Sequence, residues 1–187
     1  MSTLTVKNLK GMSPTNLITL QSGHKLYAPG GVVQVQTATT GFVRQTISSS
    51  TPVAITNLSV TITPVYATSN ILIMGMISGS WTYVTGLHIY RNGSDVTSNH
   101  GGNDQTGGSN AFITRYHTTY GNDSTDDNCM QNSILFQDSP NSTSALTYQF
   151  YINSGWSGGT STFRVNDRNN SVNMLSTSYI TAMEIAQ

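Results

Sequence analysis

The stretch Ile71–Ile77, with the sequence ILIMGMI, decides the fold of this chain. It contains no polar side chain, and it is the longest apolar run in the sequence. A membrane-spanning helix needs roughly 20 apolar residues, so this run is much too short to be one. A short apolar run rich in the β-branched residue isoleucine is typical of a strand inside a protein core. We therefore interpret Ile71–Ile77 as a central strand that is buried on both faces.

Segments on either side of this strand alternate between apolar and polar residues, as half-buried strands do. Val33 and Val35 alternate with glutamines, and residues 58–62 alternate in the same way before Pro64 ends the strand. Further strands are predicted at 42–47, 85–91, 111–120, 130–137, 145–154, 161–166 and 178–186. The predicted turns contain Asn92-Gly93, Gly101-Gly102, Gly107-Gly108, Pro140-Asn141 and Gly158-Gly159. About eight to ten short strands predict an all-β fold, an antiparallel sandwich or jelly roll.

The last predicted strand is apolar on both sides. Ile180 and Ala182 point one way, and Tyr179, Met183 and Ile185 point the other way. A strand with two apolar faces indicates an interior position in a sheet, so we expect the chain to end in an interior strand.

Charged residues are rare in this chain. Lys and Arg total 8, Asp and Glu total 8, and together they make up 9% of the residues, against about 25% in an ordinary soluble domain. The apolar content of 36% is that of a globular protein, and the polar residues are mostly uncharged Ser, Thr and Asn. A net charge of zero argues against nucleic-acid binding, which needs cations to displace the counterions of phosphates. A surface with few charges repels other chains weakly and suits a protein that packs against partners.

The few charges are segregated along the sequence. All three lysines, Lys7, Lys10 and Lys25, lie near the N-terminus, and all eight acids lie beyond residue 94. Residues 1–30 also contain strand-like pieces that are too short to bury a face alone. We therefore predict an N-terminal extension, 1–30, for oligomerisation and attachment, followed by a β-sandwich head, 31–187. A disordered tail is the alternative for the extension.

No catalytic or metal-binding pattern is found. The single cysteine, Cys129, excludes an internal disulfide, and the histidines His24, His88, His100 and His117 have no metal-ligand spacing. His88 lies between Leu87 and Ile89 in a predicted strand, which indicates a side chain on the surface or in a cavity. The acidic loop Asp123–Asp127 has the residue types of a calcium loop but lacks the usual glycine and glutamate, which favours a solvated loop. We expect no enzymatic activity, no cofactor and no metal.

Aromatic residues beside amides and carboxylates give one candidate binding site. Sugar rings present apolar faces and hydroxyl edges, so this combination suits a glycan. The candidate ligand-binding residues are Trp81, Tyr83, Asn103, Asp104 and Trp156. The alternative is that Trp81 and Trp156 pack in the core or between subunits.

Four stretches of the sequence carry a resemblance to a known family. They are Pro29–Val35 (PGGVVQV), Thr68–Gly79 (TSNILIMGMISG), Phe136–Ile152 (FQDSPNSTSALTYQFYI) and Ile180–Gln187 (ITAMEIAQ). In these stretches the chain resembles small tail-fibre-like appendage proteins of tailed marine bacteriophages. The resemblance covers roughly residues 29–187 and, more loosely, the N-terminal segment.

The resemblance implies a virion structural protein of a fibre or appendage, made in the host cytoplasm and usually homotrimeric. Its expected partners are two other copies of itself, other virion proteins bound through residues 1–30, and a glycan or protein on the host surface. No nucleic-acid binding is expected. No membrane insertion is expected either, since the N-terminus has no apolar secretory segment. The alternatives are a capsid decoration or tail-adaptor protein without receptor binding, and a free carbohydrate-binding module.

Overall fold

The structure, a computed structural model, describes residues 28–81, 84–98, 113–116, 130–154, 162–167 and 176–187. All regular elements in these ranges are strands, and no helix there is long and apolar enough to cross a membrane. The strands are β1 (Val32–Thr39), β2 (Gln45–Ile47), β3 (Val53–Ile62), β4 (Asn70–Trp81), β5 (Val84–Arg91), β6 (Ser94–Asp95), β7 (Ile113–Tyr116), β8 (Met130–Asp138), β9 (Leu146–Ser154), β10 (Phe163–Val165) and β11 (Tyr179–Ile185).

The strands form two antiparallel sheets. In the first sheet, β4 is central: β11 and β10 pair with successive parts of it on one side, and β8 pairs with it on the other. β1 extends this sheet beyond β11, and β2 extends it beyond β10. The second sheet has the order β3-β9-β5, with β6 and β7 both paired to β5. The prediction of an all-β antiparallel sandwich is confirmed.

The hydrophobic core lies between the two sheets. Ile71, Ile73 and Ile77 of β4 are fully buried, and so is Phe150 of β9 in the opposite sheet. The Phe150 ring packs against Gly75, where a Cβ atom would lie 2.6 Å from a ring carbon. Each fully buried side chain of this kind contributes about 1.5–3 kcal/mol relative to exposure. The packing of side chains between the two sheets is therefore the main source of stability.

The interpretation of Ile71–Ile77 as a strand buried on both faces is wrong for the single chain. One face of β4 packs in the core, whereas on the other face Met74 is exposed and Leu72 and Met76 are only half-buried. The second sheet covers one face of the first sheet only. The interior position of the last strand is confirmed, because β11 lies between β1 and β4.

Two further differences from the predicted strands have local causes. The strand predicted at 42–47 is reduced to β2 because residues 40–43 form a turn with Gly41 at a φ of 60°. β3 begins at Val53, and its pairing with β9 is interrupted around Asn57, which has a φ of 60°. The Asn92-Gly93 turn is confirmed: both residues have positive φ, as the tight turn between β5 and β6 requires.

A buried asparagine, Asn166, connects the turn after β1 to the ends of β10 and β11. The Asn166 side-chain amide donates to Thr40 Oγ1 at 2.7 Å and to the Val43 carbonyl at 2.8 Å. Its carbonyl oxygen accepts from Ser178 Oγ at 2.7 Å. Because every one of these groups is buried or half-buried, the network fixes the turn after β1 against the ends of β10 and β11.

Candidate functional site

Four neighbouring strands of the first sheet, β1, β11, β4 and β8, present a surface on the side that faces away from the second sheet. The registers of β1, β11, β4 and β8 align its side chains in three rows of four. We call this surface the outer face. Its residues are Thr39, Tyr179, Met76 and Ser133 in the first row, Thr37, Thr181, Met74 and Leu135 in the second, and Val35, Met183, Leu72 and Gln137 in the third.

The outer face is apolar and uncharged. Seven of its 12 side chains are apolar, and the other five carry hydroxyls or an amide. Four apolar side chains are well exposed: Leu135 by 64%, Val35 by 47%, Tyr179 by 40% and Met74 by 39%. Scattered exposed apolar residues are ordinary, but a contiguous apolar patch marks an interaction surface. This arrangement can bind a protein surface of matching shape without desolvating any charge.

The outside of the second sheet has a different chemistry. Tyr90 and Tyr151 stack there with ring centroids 3.9 Å apart, so each ring covers one face of the other. Next to them, His88 Nδ1 lies 2.8 Å from Asp95 Oδ2. Burial and the negative charge of Asp95 raise the pKa of Tyr90, which keeps its hydroxyl protonated.

The His88–Asp95 pair holds a hairpin. Asp95 Oδ1 accepts from the backbone N–H of Thr97 at 2.8 Å and from its hydroxyl at 2.7 Å, and Thr97 Oγ1 accepts from the Ile89 N–H. His88 is only 1% exposed, so its ring is enclosed rather than presented to a substrate. These bonds fasten β6 and the residues that follow it onto β5, which is a structural role.

Two further carboxylates, one half-buried and one buried, are also structural. Asp138 of β8 accepts from Arg91 Nη1 at 2.6 Å and from the Tyr148 hydroxyl at 2.6 Å, which links the two sheets. Burial and the hydrogen bond to Asp138 raise the pKa of Tyr148 far above its ordinary value. Glu184 lies at the end of β11 and is fully buried. Among the described residues, no group of three His, Cys, Asp or Glu is arranged to hold a metal ion.

The structure describes only one of the five predicted ligand-binding residues. Trp81 lies at the end of β4 in the hydrophobic core, 5% exposed, and its ring stacks on Phe163 with centroids 6.0 Å apart. Trp81 therefore packs in the core, which is the alternative to ligand binding given by the sequence analysis. The remaining four, namely Tyr83, Asn103, Asp104 and Trp156, and the loop Asp123–Asp127 lie outside the described residues.

The outer face was missed at the level of sequence, although its signal was present. Apolar residues on both sides of β4 and β11 predict strands in the interior of the protein, with β4 buried on both faces. The same pattern arises when one side is covered by another molecule. A sequence periodicity reports which positions are apolar but does not report which molecule covers them.

Comparisons with known proteins add little. No protein-family model and no curated protein matches this chain. Among solved structures, a chain in the structure of infectious bursal disease virus Gx strain aligns with 93% of this chain at 18% identity and a TM-score of 0.34. This chain spans 42% of the length of that chain. This TM-score is too low to establish a shared fold.

Proposed function

We propose that this chain is a structural protein of a bacteriophage virion, a homotrimeric part of a tail-fibre-like appendage that contacts the host surface. The observation that carries the proposal is the outer face, a sheet surface of 12 residues without a charge. A chain with 9% charged residues and such a face is suited to close packing in an assembly. Burying hydroxyls and amides costs less free energy than burying charges.

The stretches that carry the resemblance to phage appendage proteins lie in both sheets. Two of the four, Thr68–Gly79 and Ile180–Gln187, contain most of β4 and β11, which form the middle of the outer face. The longest, Phe136–Ile152, contains the end of β8 and most of β9 in the second sheet. The resemblance therefore supports the proposal through the whole sandwich.

We assign no catalytic step to this chain. Among the described residues, the ionisable pairs His88–Asp95 and Arg91–Asp138, the latter with Tyr148, connect strands to each other. Under this proposal the chain acts by position: residues 1–30 attach it to other virion proteins and the head presents loops to the host. Glycine-rich loops between strands suit such contacts because they tolerate variation.

Locating the chain on the particle tests the proposed function. Phage particles encoding this chain would be purified and imaged with an antibody raised against the full chain. We expect label on tail appendages. Label on the capsid shell would instead support a decoration protein, and absence of the chain from purified particles would contradict a virion role.

Binding to host cells separates receptor contact from assembly alone. Fluorescently labelled full chain is expected to bind host cells, and Trp156→Ala is expected to reduce that binding at least about tenfold if this residue contacts a glycan. Trp81→Ala is a poor probe because Trp81 is buried in the core. Thr61→Glu, on the exposed side of the second sheet, is the control for a general surface change. Failure of the unmodified chain to bind would remove the receptor function.

A further inference from the structure

We propose that the outer face is the surface through which copies of this chain pack against one another. This inference rests on the proposed function only for the number of copies. The outer face has three rows of side chains across four strands, and its apolar members form a continuous band through Val35, Met183, Leu72, Met74 and Leu135. The occupant that fits this surface is the same face on the other copies of the chain.

The sequence of the central strands indicates that another surface covers the outer face. β4 is apolar on both sides, and in the single chain its outward residues Leu72, Met74 and Met76 remain half-buried or exposed. Three of the seven methionines of the chain lie on the outer face, at positions 74, 76 and 183. Methionine adapts its shape to a partner surface, and it is common where apolar surfaces pack together.

The absence of charge on the outer face determines which kind of surface can bind it. None of the 12 side chains is ionisable at neutral pH, so a charged partner would lose hydration without gaining an opposite charge. Two copies of the same neutral face bring no like charges together. The five hydroxyl and amide side chains can bond across the contact, as Thr37 and Thr181 already do within one chain at 3.0 Å.

The dimensions of the outer face allow a contact that spans four strands. Four strands spaced about 4.8 Å apart make a face about 19 Å wide. The number of copies, three, is that of the proposed function.

The area sets the expected strength of this contact. Twelve residues at these spacings cover about 400 Å² of sheet per copy, which is below the roughly 800 Å² per partner of a standard interface. Val32, which is well exposed, and Ile185 continue the apolar surface at one end. We therefore expect an assembly that is sensitive to a single charge placed in the middle of the face.

The test uses the native mass of the full chain and of two charged variants. Leu135→Glu places a carboxylate at the most exposed apolar position of the outer face, where a folded single chain leaves it in water. Met74→Glu places one in the middle of the same row. Each variant is expected to raise the dissociation constant of the assembly at least about tenfold, because the carboxylate would be buried without a partner.

Thr61→Glu is the matched control. It adds the same charge to an exposed strand position on the other sheet, and it is expected to leave the native mass unchanged. Circular dichroism of all variants checks that the strands form. If folded Leu135→Glu and Met74→Glu both keep the mass of the unmodified assembly, the inference is wrong. The outer face is then covered by something else, such as residues 1–27 of the same chain, while the proposed trimer persists through another surface. An unmodified chain that is monomeric overturns both the inference and the proposed trimer.

Discussion

Glu184 holds the connection between β3 and β4 against the end of β11. Its Oε1 accepts from the backbone N–H groups of Val65 at 2.8 Å and Tyr66 at 3.1 Å, and from Ser69 Oγ at 2.8 Å. Its Oε2 accepts from Gln34 Nε2 at 2.7 Å. Burial alone would raise the pKa of Glu184, but these four hydrogen bonds outweigh burial and hold the pKa below its ordinary value.

Glu184→Gln should destabilise the fold by about 1–3 kcal/mol, because an amide nitrogen then replaces one of the two acceptor oxygens. The effect should depend on pH. A carboxylate with a lowered folded pKa stabilises the protein fully above its unfolded pKa of about 4.3 and loses that contribution as the pH falls through the folded value. Urea unfolding at pH 7 and at pH 3 measures the difference between the two proteins.

The expected outcome is a gap between unmodified chain and variant that is wide at pH 7 and narrower at pH 3. An equal gap at both pH values would show that the ionised state of Glu184 contributes nothing to stability. The stabilisation would then come only from packing and neutral hydrogen bonds.

Among the strands, β4 depends on two glycines, Gly75 and Gly79, for its close approach to its neighbours. A Cβ atom at Gly75 would lie 2.6 Å from the Phe150 ring and 2.6 Å from the Tyr179 carbonyl oxygen. Gly75→Ala should therefore cost about 1–3 kcal/mol of unfolding free energy, because either the core ring or β11 must shift. Denaturant unfolding compares it with Thr46→Ala, an exposed strand position where a change within about 0.5 kcal/mol is expected. A loss no larger than that of Thr46→Ala would contradict the packing at Gly75.

The positions of most strands were predictable because alternation and turn residues act over a few neighbours. The Asn92-Gly93 turn and the interior strand β11 follow from such local signals. The two-residue strand β6 is too short to show any periodicity. The burial of Glu184 was not predictable, because its partners come from positions 34 and 65–69, more than 100 residues away along the chain.

The candidate site was less predictable from the sequence than the strands were. The prediction chose aromatic residues in loops, and Trp81 turns out to be part of the core. The outer face was encoded in the sequence as apolar residues on both sides of β4, but burial by the same chain and burial by another copy produce an identical pattern. Only the arrangement of both sheets distinguishes them, because it shows which face is left uncovered.

At the scale of the whole molecule, the structure shows where the few charged side chains lie. Four of the described charged side chains, Arg91, Asp95, Asp138 and Glu184, take part in hydrogen bonds that fasten strands or turns. The outer face has no charge at all. A chain built in this way is expected to repel its own copies weakly and to associate through the uncovered sheet.

The native mass of the unmodified full chain in solution at micromolar concentration tests this account most directly. The account predicts three copies of 20.1 kDa each, about 60 kDa, with little single chain remaining. A species of 20.1 kDa alone, from folded protein at the same concentration, would contradict it.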